Sequence, residues 1–102
     1  MQHAVKELRR IEKEVVPKIK VDVPVKRFNP GWHQAMEFVH MVTTARMVAE
    51  AAVMRKGSRG AHYRVDGDPN DKGYYNIIIR KGKDGKMELR KEDIVITKIT
   101  PP

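Results

Sequence analysis

The stretch from Pro30 to Lys56 constrains this chain more than any other, because it reads as a single helix. Asn29 can cap its start and Pro30 suits a first helical position, where the missing N–H costs nothing. At the usual rise per residue the helix is about 40 Å long. Trp32, Ala35, Met36, Val39, Val42, Met47, Ala49, Ala52 and Val53 give it a broad apolar face. Alanines crowd from Ala45 to Ala52, which allows close approach by a neighbour. Gly57 can take the left-handed cap conformation and end it.

The remaining elements are short. Residues 4–16 read as a helix, with Ala4, Leu8, Ile11 and Val15 on one face and charged residues on the other. Pro17 stops it. Residues 17–28 read as an extended strap, since Pro17, Pro24 and the alternating Val21, Val23 and Val25 favour extended backbone. Residues 57–73 read as loop, and Asp66 to Gly73 is saturated with turn formers. Residues 74–99 read as a hairpin: Tyr74–Arg80, a turn at Lys83-Asp84-Gly85-Lys86, then Met87–Arg90 and Asp93–Ile99 as continuing strand. Two helices bury each other on one side only, and the long one has more apolar surface than the short one covers. The chain is therefore expected to pack on another domain, another subunit or a second copy of itself.

Composition narrows the classes. The 102 residues bound the chain at a single domain, and 40% hydrophobic with 33% charged residues suits a water-soluble protein. No apolar run approaches the ~20 residues of a membrane span. The N-terminus reads as a charged helix start, not a signal peptide. Without cysteine there is no disulfide, thiolate metal site or cysteine nucleophile, which fits a reducing cytoplasm. The net charge of +8 raises the question of nucleic acid, but basic and acidic residues number eight and four over 1–28, three and two over 29–56, and ten and seven over 57–102. Charge so interleaved suits a solvated surface better than a binding stripe.

Polar chemistry is concentrated at the end of the long helix. Arg55-Lys56-Gly57-Ser58-Arg59-Gly60-Ala61-His62-Tyr63-Arg64 gathers three arginines, a lysine, a histidine and a tyrosine around two glycines. The arginines could grip carboxylates in bidentate fashion, and His62 could exchange a proton near neutral pH. The alternative is a helix terminus whose cations meet the negative dipole end and cap free carbonyls. His33, Glu37 and His40 share a helix face with the Glu-x-x-His spacing of di-iron bundles, but such sites need carboxylates from other helices and the long helix has only Glu50 besides. No metal site is expected. Nothing resembles a dinucleotide fingerprint, a phosphate loop or a hydrolase constellation.

The ten-residue run closely resembles the Arg-Lys-Glu-Ser-Arg-Gly-Ala-His-Tyr-Arg signature of succinate dehydrogenase and fumarate reductase flavoprotein subunits. The resemblance extends over almost the whole chain. Leu8–Val16 fits the family's first helix, Val21–Arg27 its strap, Phe28-Asn29 the opening of its long helix, Asp66–Asp71 its acidic segment and Lys83–Ile99 its hairpin. It implies a mainly α, spectrin-repeat-like helical-bundle C-terminal domain with one long helix, a loop and a short β-hairpin. Two departures stand out. Gly57 occupies a position where the family usually has Glu, and Gly67-Asp68 replaces a common aromatic and proline. L-Aspartate oxidase and adenylylsulfate reductase subunits share this architecture, but Ala61-His62-Tyr63-Arg64 leans towards the succinate/fumarate branch.

By that resemblance, the parent flavoprotein holds FAD elsewhere and passes electrons from succinate/fumarate chemistry to an iron–sulfur subunit. The FAD-binding glycines, the proton-shuttling arginine and an upstream helix of this domain lie outside the region matched here. The chain itself is expected to hold no cofactor and to catalyse nothing in isolation. Its expected partners are the flavin-binding domain and the iron–sulfur subunit, with Arg55, Ser58, Arg59, His62, Tyr63 and Arg64 as docking contacts. The isolated chain is expected to self-associate through the long helix, to reside in the cytoplasm or at the inner membrane face within a complex, and to insert into no membrane. The alternative is a stand-alone basic helical module that binds a protein or nucleic acid.

Overall fold

The computed structural model describes residues 1–101. The chain forms two compact units, Met1–Glu50 and the part from Ala51 onward. Helix α1 spans Gln2–Arg10 and helix α2 spans Pro30–Met54. Strands β1 (Tyr75–Lys81) and β2 (Met87–Asp93) form a two-stranded antiparallel sheet.

In the first unit α1 passes directly into a π-helical turn, Ile11–Val15, and a 3₁₀ turn, Val16–Lys18. Pro17 has no N–H to donate and its ring crowds the carbonyl four residues back, so regular α hydrogen bonding cannot continue past it. Val5, not Ala4, is the buried residue of α1, and Val15 is exposed. Residues 19–28 form no strand. The expected cap at Asn29 is present: its Oδ1 accepts from the Trp32 amide at 3.3 Å. Within α2 only Val42 is buried, at 5% exposure. Trp32, Ala35, Phe38, Ala45 and Met47 are half-buried, while Met36 and Val39 of the expected apolar face are exposed, as are Met41 and Val48.

Ion pairs tie the two ends of this unit. Glu50 accepts from Arg9 Nε and Nη2 at 3.1 and 3.0 Å and from Arg46 Nε at 2.9 Å. Arg46 Nη1 also reaches Glu12. Burial pushes the Glu50 carboxyl up, but the bonds from Arg46 and Arg9 outweigh it and hold the group below its ordinary value.

In the second unit the helix ends two residues earlier than expected, at Met54. Gly57 does not supply a left-handed cap, since its φ is not positive. Its lack of a side chain matters for another reason: a β-carbon there would lie 2.6 Å from the Asp71 backbone oxygen. The hairpin turns where expected, with Gly85 at φ +79 and its amide bonded to Gly82 O. The pairing runs from Tyr75 opposite Asp93 to Lys81 opposite Met87. Ile77, Ile79 and Leu89 share one sheet face, and Arg80 pairs with Glu88 at 2.9 Å on the other. The expected continuation to Ile99 is absent. The Ile94 amide still bonds to Tyr74 O, but Gly73, at φ +70, turns the chain away just upstream, so residues beyond Ile94 have no facing strand.

Candidate functional site

The arginine-rich segment folds into one loop, organised from the end of α2. The last carbonyls of a helix lack partners within it. Here one side chain supplies partners for two of them and for the carbonyl just beyond. Arg64 Nη1 donates to Ala52 O at 3.2 Å, Val53 O at 3.1 Å and Arg55 O at 2.9 Å. The other edge of the same guanidinium holds Asp66 through two bonds, Nε to Oδ1 at 3.0 Å and Nη2 to Oδ2 at 2.8 Å. The Arg64 side chain is 7% exposed. Its hydrogen bonds hold the Asp66 carboxyl down at about 2, and Asp66 in turn raises the Arg64 guanidinium further.

The loop backbone is closed by short-range bonds. Ser58 Oγ accepts from the Arg64 amide at 2.8 Å and donates to Arg64 O at 3.2 Å. Arg59 and His62 exchange both backbone bonds, at 2.9 and 3.1 Å, around Gly60 and Ala61. Gly60, at φ +57, allows this two-residue reversal.

Asp71 fastens the loop to the strand that follows. Its Oδ2 accepts from the Gly57 amide at 3.1 Å and the Tyr75 hydroxyl at 2.7 Å, and its Oδ1 from the Gly73 amide at 2.9 Å. The Tyr75 hydroxyl, followed by these backbone amides, draws the Asp71 carboxyl below its ordinary value against the effect of burial. Two cations flank the Tyr75 ring, Arg55 at 4.8 Å and Lys91 at 4.4 Å from its centroid. Arg55 also donates to Tyr75 O at 3.0 Å. Arg59 stacks at 4.9 Å from the Tyr74 ring and donates to Lys72 O.

The structure thus brings all six expected site residues into one loop but gives them different orientations. Arg55, Ser58 and Arg64 are spent on internal bonds, so the helix-capping alternative describes Arg64. Arg59 is exposed, although its head group is bonded to the loop. Tyr63 is 78% exposed. His62 is half-buried, and its Nε2 is enclosed without a hydrogen-bond partner. Asp66, Asp71, Tyr74 and Tyr75 were not expected in the site; the spacing of Asp66 two residues after Arg64 was the available signal. Among the described residues no three His, Asp or Glu side chains gather into a metal-binding group, and no helix is long and apolar enough to cross a membrane.

This arrangement can bind and brace. Comparison with known proteins sets it in context. The family model described as the fumarate reductase flavoprotein C-term matches residues 1–102, and the chain belongs to that family. It is 29% identical over 93 residues to the fumarate reductase flavoprotein subunit of a Serratia species, covering 87% of this chain and 16% of that protein. The corresponding Escherichia coli subunit is 27% identical over 105 residues, covering 99% and 17%. An uncharacterized FAD-dependent oxidoreductase of Methanocaldococcus jannaschii is 44% identical over 57 residues, covering 56% and 10%. The fold matches the FrdA chain of a mutated E. coli quinol fumarate reductase with a TM-score of 0.85 at 24% identity, over 99% of this chain and 18% of that one. The chain therefore spans less than a fifth of the length of these relatives.

Proposed function

We propose that this chain works as the C-terminal domain of an FAD-dependent oxidoreductase of the succinate dehydrogenase/fumarate reductase type, and that its direct role is packing and subunit docking. In this reading FAD and the redox chemistry belong to the remainder of the parent protein. The arginine-rich loop meets the flavin-binding domain or the iron–sulfur subunit, in a complex in the cytoplasm or at the inner membrane face. Helices α1 and α2 complete a spectrin-repeat-like bundle with helical surface supplied by the parent, and in isolation the exposed residues of α2 draw two copies together.

The observation that carries the reading is the division of labour within the loop. Arg64 and Asp71 lock its inner side through eight hydrogen bonds, while Tyr63 stands in solvent. A rigid support that presents an exposed aromatic suits an interface anchor better than a solvated helix end.

The test is to purify the native gene product with its companions and record its intact mass and visible spectrum. A product several-fold larger than 11.8 kDa, yellow with bound flavin, is expected. Within it, Tyr63→Glu should release a companion subunit or open the flavin domain to protease, with the loop's own fold unchanged. A colourless 102-residue product would overturn the assignment, and a yellow product indifferent to Tyr63→Glu would overturn the docking role of the loop.

A further inference from the structure

A second exposed aromatic lies in the other unit, where the strap enters α2. Phe28 has φ +53, the one non-glycine residue with positive φ among the described residues, and it is 88% exposed. A bulky residue in the left-handed region is strained, and such strain persists only where its surroundings enforce it. Asn29 enforces it here. Its Nδ2 donates to Val23 O at 2.6 Å and Val25 O at 2.7 Å, while its Oδ1 caps the Trp32 amide. One side chain therefore ties the strap to the helix start and leaves Phe28 at the bend between them.

The ring gains no burial inside this unit to offset the strain. Val23 and Val25 of the same strap are each 56% exposed, so the segment presents three apolar side chains to water. The rim is basic. Lys18, Lys20, Lys26 and Arg27 stand against Asp22 alone, all are exposed, and among the described residues none of the four cations makes an ion pair. Arg27 lies over the Phe28 ring, 5.1 Å from its centroid, so charge and aromatic surface are presented together.

We propose that Val23–Phe28 is a docking surface for an acidic protein surface with an apolar pocket that receives the Phe28 ring. The unpaired cations call for carboxylates on the partner, and charge complementarity of this kind sets encounter and register. The fixed ring argues for a pocket over a lipid surface. A bilayer accepts an aromatic in any orientation and is held by a broad amphipathic face, so it gives no return for a strained backbone. A pocket does, because a preorganised anchor loses less freedom on binding. This surface shares no residue with the arginine-rich loop and stands independently of that loop's role.

The test places p-benzoylphenylalanine at Phe28 in the native gene product, irradiates the cells that make it and sequences the joined peptide. The expected result is an adduct to one protein, on a peptide with apolar residues flanked by Asp or Glu. Its yield should fall about tenfold or more when Lys26→Glu and Arg27→Glu are combined, and the same group at Val48, also exposed, should not reproduce it. An adduct within the same polypeptide, or to lipid, nucleic acid or a second copy, would overturn the proposal, as would no adduct or one indifferent to charge reversal. Phe28→Gly supplies an independent measure, because glycine accepts positive φ freely. The melting temperature should hold or rise; a fall would show that the ring serves the fold and would equally overturn the proposal.

Discussion

Gly57 and Asp71 sit in closer contact than any side chain at position 57 would allow. The Gly57 amide donates to Asp71 Oδ2 at 3.1 Å, and a β-carbon would stand 2.6 Å from the Asp71 backbone oxygen and 3.0 Å from its Cβ. The neighbour that must yield includes backbone, which cannot swing aside. Gly57→Ala should therefore destabilise the fold by about 1–3 kcal/mol, the usual cost of forcing extra atoms into a packed site. Urea unfolding followed by circular dichroism measures it. An unchanged midpoint would mean that the 57–73 loop can shift to admit a side chain.

Arg64 should resist its closest chemical replacement. Its guanidinium reaches three carbonyls with one nitrogen and Asp66 with two others. A lysine ammonium is a point charge and cannot serve both sides at once. Arg64→Lys should leave α2 intact while fraying its last turn. Hydrogen exchange at the Arg55 amide, which bonds to Ala51 O, should quicken roughly tenfold or more, as expected for losing a charge-assisted bond. Protection equal to the parent protein's would show that the helix end is held by something else.

The long helix and the hairpin turn were legible because each rests on local chemistry: Asn29 and Pro30 at one end, Asp84-Gly85 at the other. What the sequence hid was non-local. In α1 the buried position is Val5 where the periodicity put Ala4. The strand beyond Asp93 failed because a strand needs a facing partner, and Gly73 removes it. In the loop, composition pointed to the right ten residues but could not show which way each faced. Arg64 is consumed by carbonyls twelve, eleven and nine residues earlier, a pairing visible only once the chain has folded back. Asp71 read as one turn former among several, although it joins Gly57, Gly73 and Tyr75.

Acid should loosen the loop within a defined window. The Asp66 carboxyl lies at about 2 in the fold against an ordinary 3.8, so its charged form is favoured by folding. That contribution is fully present above about pH 4 and drains away as pH falls towards 2. Asp71, also held low, acts in the same direction. Thermal midpoints measured down this range should decline, and Asp66→Asn should flatten part of the decline. A carbon-detected NMR titration that placed the Asp66 midpoint at its ordinary value would contradict the Arg64 pairing.

Glu50 offers the corresponding test in the first unit. Its side chain is 12% exposed and accepts from both Arg9 and Arg46, while Arg46 also reaches Glu12. Glu50→Gln keeps the shape and removes the charge on which both arginines converge. The loss should be about 1–2 kcal/mol, above the worth of an exposed pair and below that of a fully buried one. Glu7, which pairs with Arg10 at 3.0 Å on the open face of α1, is the control, and Glu7→Gln should leave the unfolding midpoint where it was. Salt separates the two further, since solvent ions screen an exposed pair more than an enclosed one. If Glu50→Gln proves as mild as Glu7→Gln, the network is a surface ornament and Val5 and Val42 hold the unit alone; if the loss persists in 1 M salt, as the burial of Glu50 requires, the ion pairs contribute to its core.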